Sequence, residues 1–248
     1  MNKLPQITFA FWVMKICATT LGETAGDLLS MTLNVGYATS SLTLIGAFFV
    51  TVSAQLITRK YHPLLYWMVI LSTSTAGTTM SDYMDRTLGL GYAKGSLLLI
   101  GILLAIFFYW RSTGNSLSVE KIQTRKVETL YWVAILFSNT LGTALGDFLA
   151  DDSGLGFAGG AALIGGLLVL VTLAAYFTKV SHVLLFWIAF VLTRPFGATM
   201  GDVLTKPHDK GGLDFGTIGA SAVLAGILGI MILLVTIQQK RKLTTVPN

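Results

Sequence analysis

Apolar runs recur along almost the whole chain, separated by short polar connections. A helix that crosses a membrane needs about 20 mainly apolar residues. Eight stretches approach that length: 8–31, 37–57, 64–84, 93–111, 129–150, 157–178, 183–204 and 217–239. The pattern predicts an all-α, polytopic membrane protein with eight transmembrane helices. The first run follows Lys3, as the core of a signal peptide would. It continues through Lys15, Glu23 and Asp27 without a small-residue cleavage site, so it is expected to be retained as a helix.

Composition supports this and narrows the function. Of the 248 residues, 53% are hydrophobic and only 12% charged, and the mean hydropathy is +0.71. A soluble domain carries about 25% charged residues, so disorder, a nucleic-acid-binding domain and an ordinary cytosolic enzyme are excluded. The single cysteine, Cys17, excludes a disulfide framework and a cysteine-based zinc site. The net charge of +5 reads as topology. Lys3, Arg59, Lys60, Arg111, Lys121, Arg125, Lys126, Lys179, Lys240, Arg241 and Lys242 fall on one side, with Glu120 and Glu128. The other side holds Arg86, Lys206 and Lys210, with Lys94 at the border, among Asp85, Asp151, Asp152, Asp209 and Asp214. The excess of basic residues on the first side predicts that both termini are cytoplasmic. The polar segment 112–127 divides the chain into a first half, 1–111, and a second half, 128–248, joined by a cytoplasmic linker.

Internal repetition is the strongest signal. The aromatic pairs Phe11-Trp12, Tyr66-Trp67, Tyr131-Trp132 and Phe186-Trp187 open the odd-numbered spans. At one fixed offset from each Trp come Gly22, Gly77, Gly142 and Gly197, and at a second come Asp27, Asp82, Asp147 and Asp202. The segments read GETAGD, GTTMSD, GTALGD and GATMGD. Each is followed by an aromatic beside a glycine: Gly36-Tyr37, Gly91-Tyr92, Gly156-Phe157 and Phe215-Gly216. The second and fourth copies share more, His62-Pro-Leu-Leu-Tyr-Trp67 against His182-Val-Leu-Leu-Phe-Trp187. A two-helix unit doubled twice explains this. Four like-oriented copies predict a pseudo-symmetry axis along the membrane normal.

The Trp–Gly–Asp spacing, and above all LTRPFGATMGDVLTKP at 192–207, resembles a bacterial membrane-protein family named for its tandem repeats of unknown function. The resemblance covers residues 11 to about 236. It implies four two-helix repeats, each with its tryptophan, in a bacterial inner membrane, and it supplies no substrate. The outer loop of the fourth repeat, three residues longer than that of the second, departs from the pattern.

The repeated residues suggest different tasks. Trp12, Trp67, Trp132 and Trp187, near the cytoplasmic helix starts, read as interface anchors. Gly22 and Gly26, Gly77 and Ser81, Gly142 and Gly146, and Gly197 and Gly201 are small residues four apart. Such faces let helices pack closely in lipid, which predicts an inner ring of odd helices with the even helices outside. An acidic side chain at a helix centre costs about 2.5–3.5 kcal/mol on the insertion scale, so the aspartates need an explanation. Either Asp27, Asp82, Asp147 and Asp202 lock loops and helices together, or they form a ring that selects cations. Hard oxygen ligands of this kind suit a metal such as Mg²⁺, Ca²⁺ or Mn²⁺. One turn earlier stand Glu23, Thr78, Thr143 and Ala198, of which the first three add ligand oxygens. Met80 and Met200 are expected to pack rather than bind. Lys15 and Arg194 also lie within the bilayer and are both expected to form ion pairs or gate the site, Arg194, beside Pro195, with an acid such as Asp82 or Glu23.

Three classes of function can be weighed. The leading expectation is a transporter or channel for a small cation, a metal ion or one coupled to protons. The alternative is a non-transporting sensor, regulator or assembly protein whose aspartates are structural. An enzyme is not expected, because paired intramembrane aspartyl-protease motifs, a serine or cysteine nucleophile with a membrane-embedded histidine, and a nucleotide-binding loop are missing. No cofactor is expected. The partners implied are the lipid bilayer and a small cation, not nucleic acid; self-association is left open. The two leading classes predict different geometry: aspartates converging on one site, or each capping its own loop.

Overall fold

In the computed structural model the described residues are 4–119, 122 and 124–244, with the side chains of 242–244 left aside. Lys3, Glu120, Lys121 and the Lys242 side chain, used above for orientation, lie outside them. The described residues form α-helices and no strand: α1 (Phe9–Asp27), α2 (Tyr37–Ile57), α3 (Pro63–Asp82), α4 (Tyr92–Ser112), α5 (Arg125–Asp147), α6 (Gly156–Phe177), α7 (His182–Thr205) and α8 (Gly216–Thr244). Six of them, α2 and α4 to α8, are long and apolar enough to cross a membrane. The other two, α1 and α3, have 19 and 20 residues but a more polar composition. Their polar side chains face inward: Lys15, Thr19, Thr20, Glu23 and Thr24 of α1, and the run Ser72–Thr75 with Thr78 and Thr79 of α3, are all buried.

Local sequence explains the helix ends. Thr8 and Thr124 cap α1 and α5, accepting from the backbone N–H of Phe11 and Val127. Pro63 opens α3, where a missing N–H costs nothing. Gly36 and Gly91 precede α2 and α4 with φ of 80° and 77° and extended ψ, a region open in practice only to glycine. That requirement accounts for the repeated glycine-aromatic pair. Beyond the aspartates the helical path continues but changes its winding. Three odd helices continue into a five-residue π-turn: Leu28–Thr32, Tyr83–Thr87 and Phe148–Asp152. The fourth repeat, with its longer loop, has the 3-10 turn His208–Lys210 instead. The α5 helix starts at Arg125, before the expected 129, and α7 runs unbroken through Pro195.

The packing is cyclic. The helix pairs α1–α3, α3–α5, α5–α7 and α7–α1 all touch, closing an inner ring of the odd helices. Each even helix packs on the next odd one: α2 on α3, α4 on α5, α6 on α7, and α8 back on α1. Ser221 on α8 bonds Thr24 on α1 at 2.8 Å, and Thr217 meets Thr32 at 2.7 Å. The even helices expose most of their surface, whereas α5 is mostly buried. The ring also joins the two halves, since α3–α5 and α1–α7 both cross the linker. Trp187 Nε1 ties the linker down by donating to Leu117 O at 2.9 Å.

The small residues lie at the seams of the ring. A side chain at Gly22 would strike the Ser74 backbone at 3.1 Å, and at Gly77 the backbone of Asn139 and Thr140 at 2.9 Å. At Gly142 it would strike the Arg194 backbone at 3.0 Å, and at Gly197 the Thr19 backbone at 2.9 Å. One turn outward, Gly26 faces Thr78, Gly146 faces Ala198 and Gly201 faces Glu23, with Cβ positions 2.8–2.9 Å apart. Ser81 takes the matching place in the second repeat and is fully buried.

Candidate functional site: a buried carboxylate cluster

The ring brings equivalent residues of the four repeats to common levels, because each stands at the same offset from its Trp and Asp and so at the same rise along its helix. The inner level is aromatic. Phe11 packs on Trp67, Tyr66 on Trp132, Tyr131 on Trp187 and Phe186 on Trp12, with ring centroids 5.5–6.1 Å apart. Tyr66 and Tyr131 also share a 2.9 Å hydrogen bond. Trp67, Trp132 and Trp187 are buried and Trp12 half-buried. The structure thus sets the indoles against neighbouring inner helices, where their area contributes to holding the ring.

The next levels become polar. Lys15 is fully buried, with Nζ 4.1 Å from the centre of the Phe190 ring. Then come Thr19, Ser74, Asn139 and Arg194. Thr19 donates to Thr193 O at 3.1 Å, and Asn139 Nδ2 donates to Thr73 Oγ1 at 2.8 Å, linking neighbouring helices.

Above them Arg194 reaches the middle of the ring. Its Nη1 lies 3.0 Å from Glu23 Oε2, and Nη2 donates to Thr78 Oγ1 and Thr143 Oγ1, each at 2.6 Å. Thr78 and Thr143 in turn lie 3.3 and 3.2 Å from Glu23 Oε2. Of the acids considered for Arg194, it is Glu23 that the structure brings into contact. The Thr78 and Thr143 hydroxyls complete the same network, so three inner helices are fastened to the fourth by one buried guanidinium. A charge-assisted arrangement of this kind is strong only when nearly every donor finds an acceptor.

The outermost level holds the four aspartates, all 2–5% exposed. Asp27, Asp82 and Asp147 make no capping bond to the turns that follow. They converge through two cations. Arg86 Nε is 2.9 Å from Asp82 and Nη2 is 3.2 Å from Asp147. Lys206 Nζ is 3.1 Å from Asp202 and 3.2 Å from Asp27. Burial opposes the Lys206 charge, but the Asp202 and Asp27 carboxylates outweigh it and raise its pKa. Arg86 and Lys206 span the α3–α5 and α7–α1 seams. The α1–α3 and α5–α7 seams have no such bridge among the described residues. Beside the α5–α7 seam, Glu23, Asp147 and Asp202 each offer an oxygen within 4.8 Å of the others.

Sequence reasoning read Arg86 and Lys206 only as loop charges. Their signal was the four-residue step from Asp82 and Asp202, the helical spacing at which an acid and a base meet. The first and third repeats have Met31 and Asp151 there, so the step is confined to the closely similar second and fourth copies. Met80 and Met200 are half-buried, and Met80 lines an outward apolar groove with Leu42, Met84 and Leu98.

The profile described as Repeat of Unknown Function (DUF347) matches residues 10–61, 65–116, 130–181 and 185–241. Comparison with curated proteins and with solved structures returns no match.

Proposed function

The chain belongs to the DUF347 repeat family, and we propose that its four repeats build a transporter or channel for a small cation, a metal ion or one coupled to protons. All eight helices cross the bilayer in this reading, with the ring axis along the membrane normal. The basic ends of the helices lie in the cytoplasm of a bacterium, beneath the inner membrane. In α1 and α3 the polar content that lowers their hydropathy faces the ring, so lipid does not meet it.

One observation carries the reading: Glu23, Asp147 and Asp202 present oxygens to one small space. Asp27, Asp82, Asp147, Asp202 and Glu23 share only Arg86, Lys206 and Arg194 as ion-pair partners among the described residues. With all five ionised, two negative charges remain, which a divalent cation would neutralise. Hard oxygen donors favour Mg²⁺, Ca²⁺ or Mn²⁺ over softer ions. Thr78 and Thr143 then position Glu23, and the Arg194–Glu23 pair closes the axis behind the site. Passage requires that pair to open, so Arg194 gates the path. No catalytic role falls to any of these groups.

Arg86 and Lys206 also favour a second reading. Their bridges fasten neighbouring helices, as expected of a sensor or assembly protein with structural aspartates. Reconstitution of the purified chain into liposomes holding a metal-sensitive dye separates the two. Entry of Mn²⁺, Mg²⁺ or Ca²⁺, lost in Asp147→Asn and Asp202→Asn, is expected. Absence of flux for each ion and for protons, or flux indifferent to these changes, would leave only the structural reading.

A further inference from the structure

Lys15 occupies a position that the other repeats fill with Ile70, Ile135 and Phe190, each eight residues before Thr78, Thr143 and Ala198. All four are fully buried. The Lys15 ammonium has no hydrogen-bond acceptor, only the face of the Phe190 ring. Burial of a charge without a hydrogen-bonded partner is costly unless the group can become neutral. A role limited to packing is served by isoleucine, as Ile70 and Ile135 demonstrate in this same core.

The surroundings indicate what controls its charge. In the adjoining levels stand Arg194 on α7, of like charge, and the Tyr66 and Tyr131 phenols on α3 and α5, bonded to each other. On α1 itself Glu23 lies two turns outward. From Gly216 to Gln239, α8 brings no charged residue. The buried carboxylate of Glu128 stands one turn beyond the Tyr131 phenol on α5, and Glu23 is already paired with Arg194. The five acids exceed Arg86, Lys206 and Arg194 by two negative charges, and an ammonium at Lys15 cuts that surplus to one, too little to balance a divalent cation.

We propose that Lys15 is the proton carrier of the interior, protonated when the Glu23–Asp147–Asp202 cluster is free and releasing its proton when a cation binds there. The step is R–NH₃⁺ to R–NH₂ plus H⁺, with the proton passing to water, so one positive charge leaves as the cation's charge arrives. Coupling then takes the form of cation–proton exchange. This rests on the reading of the carboxylate cluster as a cation site.

The test is proton release when Mn²⁺ is added to the purified full chain in weakly buffered detergent, with bound Mn²⁺ followed by its electron paramagnetic resonance. The wild type is expected to release a proton more than Lys15→Ile or Lys15→Met, both of which keep Mn²⁺ binding. Lys15→Arg, which cannot discharge, is expected to bind Mn²⁺ more weakly than Lys15→Ile. Equal proton release by the wild type and by whichever of the two neutral variants folds overturns the proposal while leaving the cation site standing. So does Mn²⁺ affinity in Lys15→Arg equal to that in Lys15→Ile. A wild type that binds no Mn²⁺ overturns the cation-site reading, and the coupling with it.

Discussion

Arg194 and Glu23 are 171 residues apart in the chain, yet their side chains meet at 3.0 Å in the middle of the helix ring. Both are buried, at 0% and 3% exposure. Removing one partner from such a pair typically costs about 3–5 kcal/mol, because the other charge is left uncompensated. Glu23→Gln and Arg194→Gln should each lower the thermal unfolding temperature in detergent, and the double variant should lose less than the sum. Additive losses would show that the pair is not coupled.

The seams of the ring should be intolerant of added bulk. Gly142→Ala pushes a methyl group against the Arg194 backbone, which lies 3.0 Å from the new carbon. Overpacking of this kind costs about 1–3 kcal/mol. Gly229→Ala on α8 meets nothing within 4 Å and should be neutral or gain up to about 1 kcal/mol from helix propensity. Denaturation midpoints of the two variants check the contrast.

The aromatic level should behave as core. Trp132 is 1% exposed and packs on Tyr66 and Tyr131. Trp132→Ala is expected to cost about 3–5 kcal/mol, while Trp12→Ala, half-buried, should cost less. A small, equal loss at both positions would return the indoles to the role of membrane-surface anchors.

Lys206 acts in this account as a tethered counter-ion for Asp202 and Asp27. Lys206→Met leaves two buried carboxylates without their cation, so the metal-free protein should unfold at a lower temperature. Added Mn²⁺ should stabilise this variant more than the wild type, since ligands that bind only the folded state raise its stability by mass action. Thermal melts with and without Mn²⁺ measure the difference.

Much of this architecture was legible because repetition exposes it. The Trp–Gly–Asp offsets indicated which helices form the inner ring, and Gly22, Gly77, Gly142 and Gly197 do lie at its seams. The convergence of the aspartates was one of two expectations that the sequence left open. It depends on Arg86 and Lys206 crossing between helices, and a one-dimensional pattern carries no distances between separate helices. The π-turns after Asp27, Asp82 and Asp147 were likewise out of reach, since a single extra residue in a helical turn leaves no periodic trace. Placing the indoles inside the ring needed the tertiary packing, because an amphipathic ring suits both a headgroup layer and a seam between helices.

Mn²⁺ binding to the purified chain, read by electron paramagnetic resonance, tests the central claim most directly. If Glu23, Asp147 and Asp202 hold a cation, the wild type binds Mn²⁺, and Asp147→Asn and Asp202→Asn, still folded by circular dichroism, lose it. A wild type without bound Mn²⁺, or variants that bind as the wild type does, would contradict the claim.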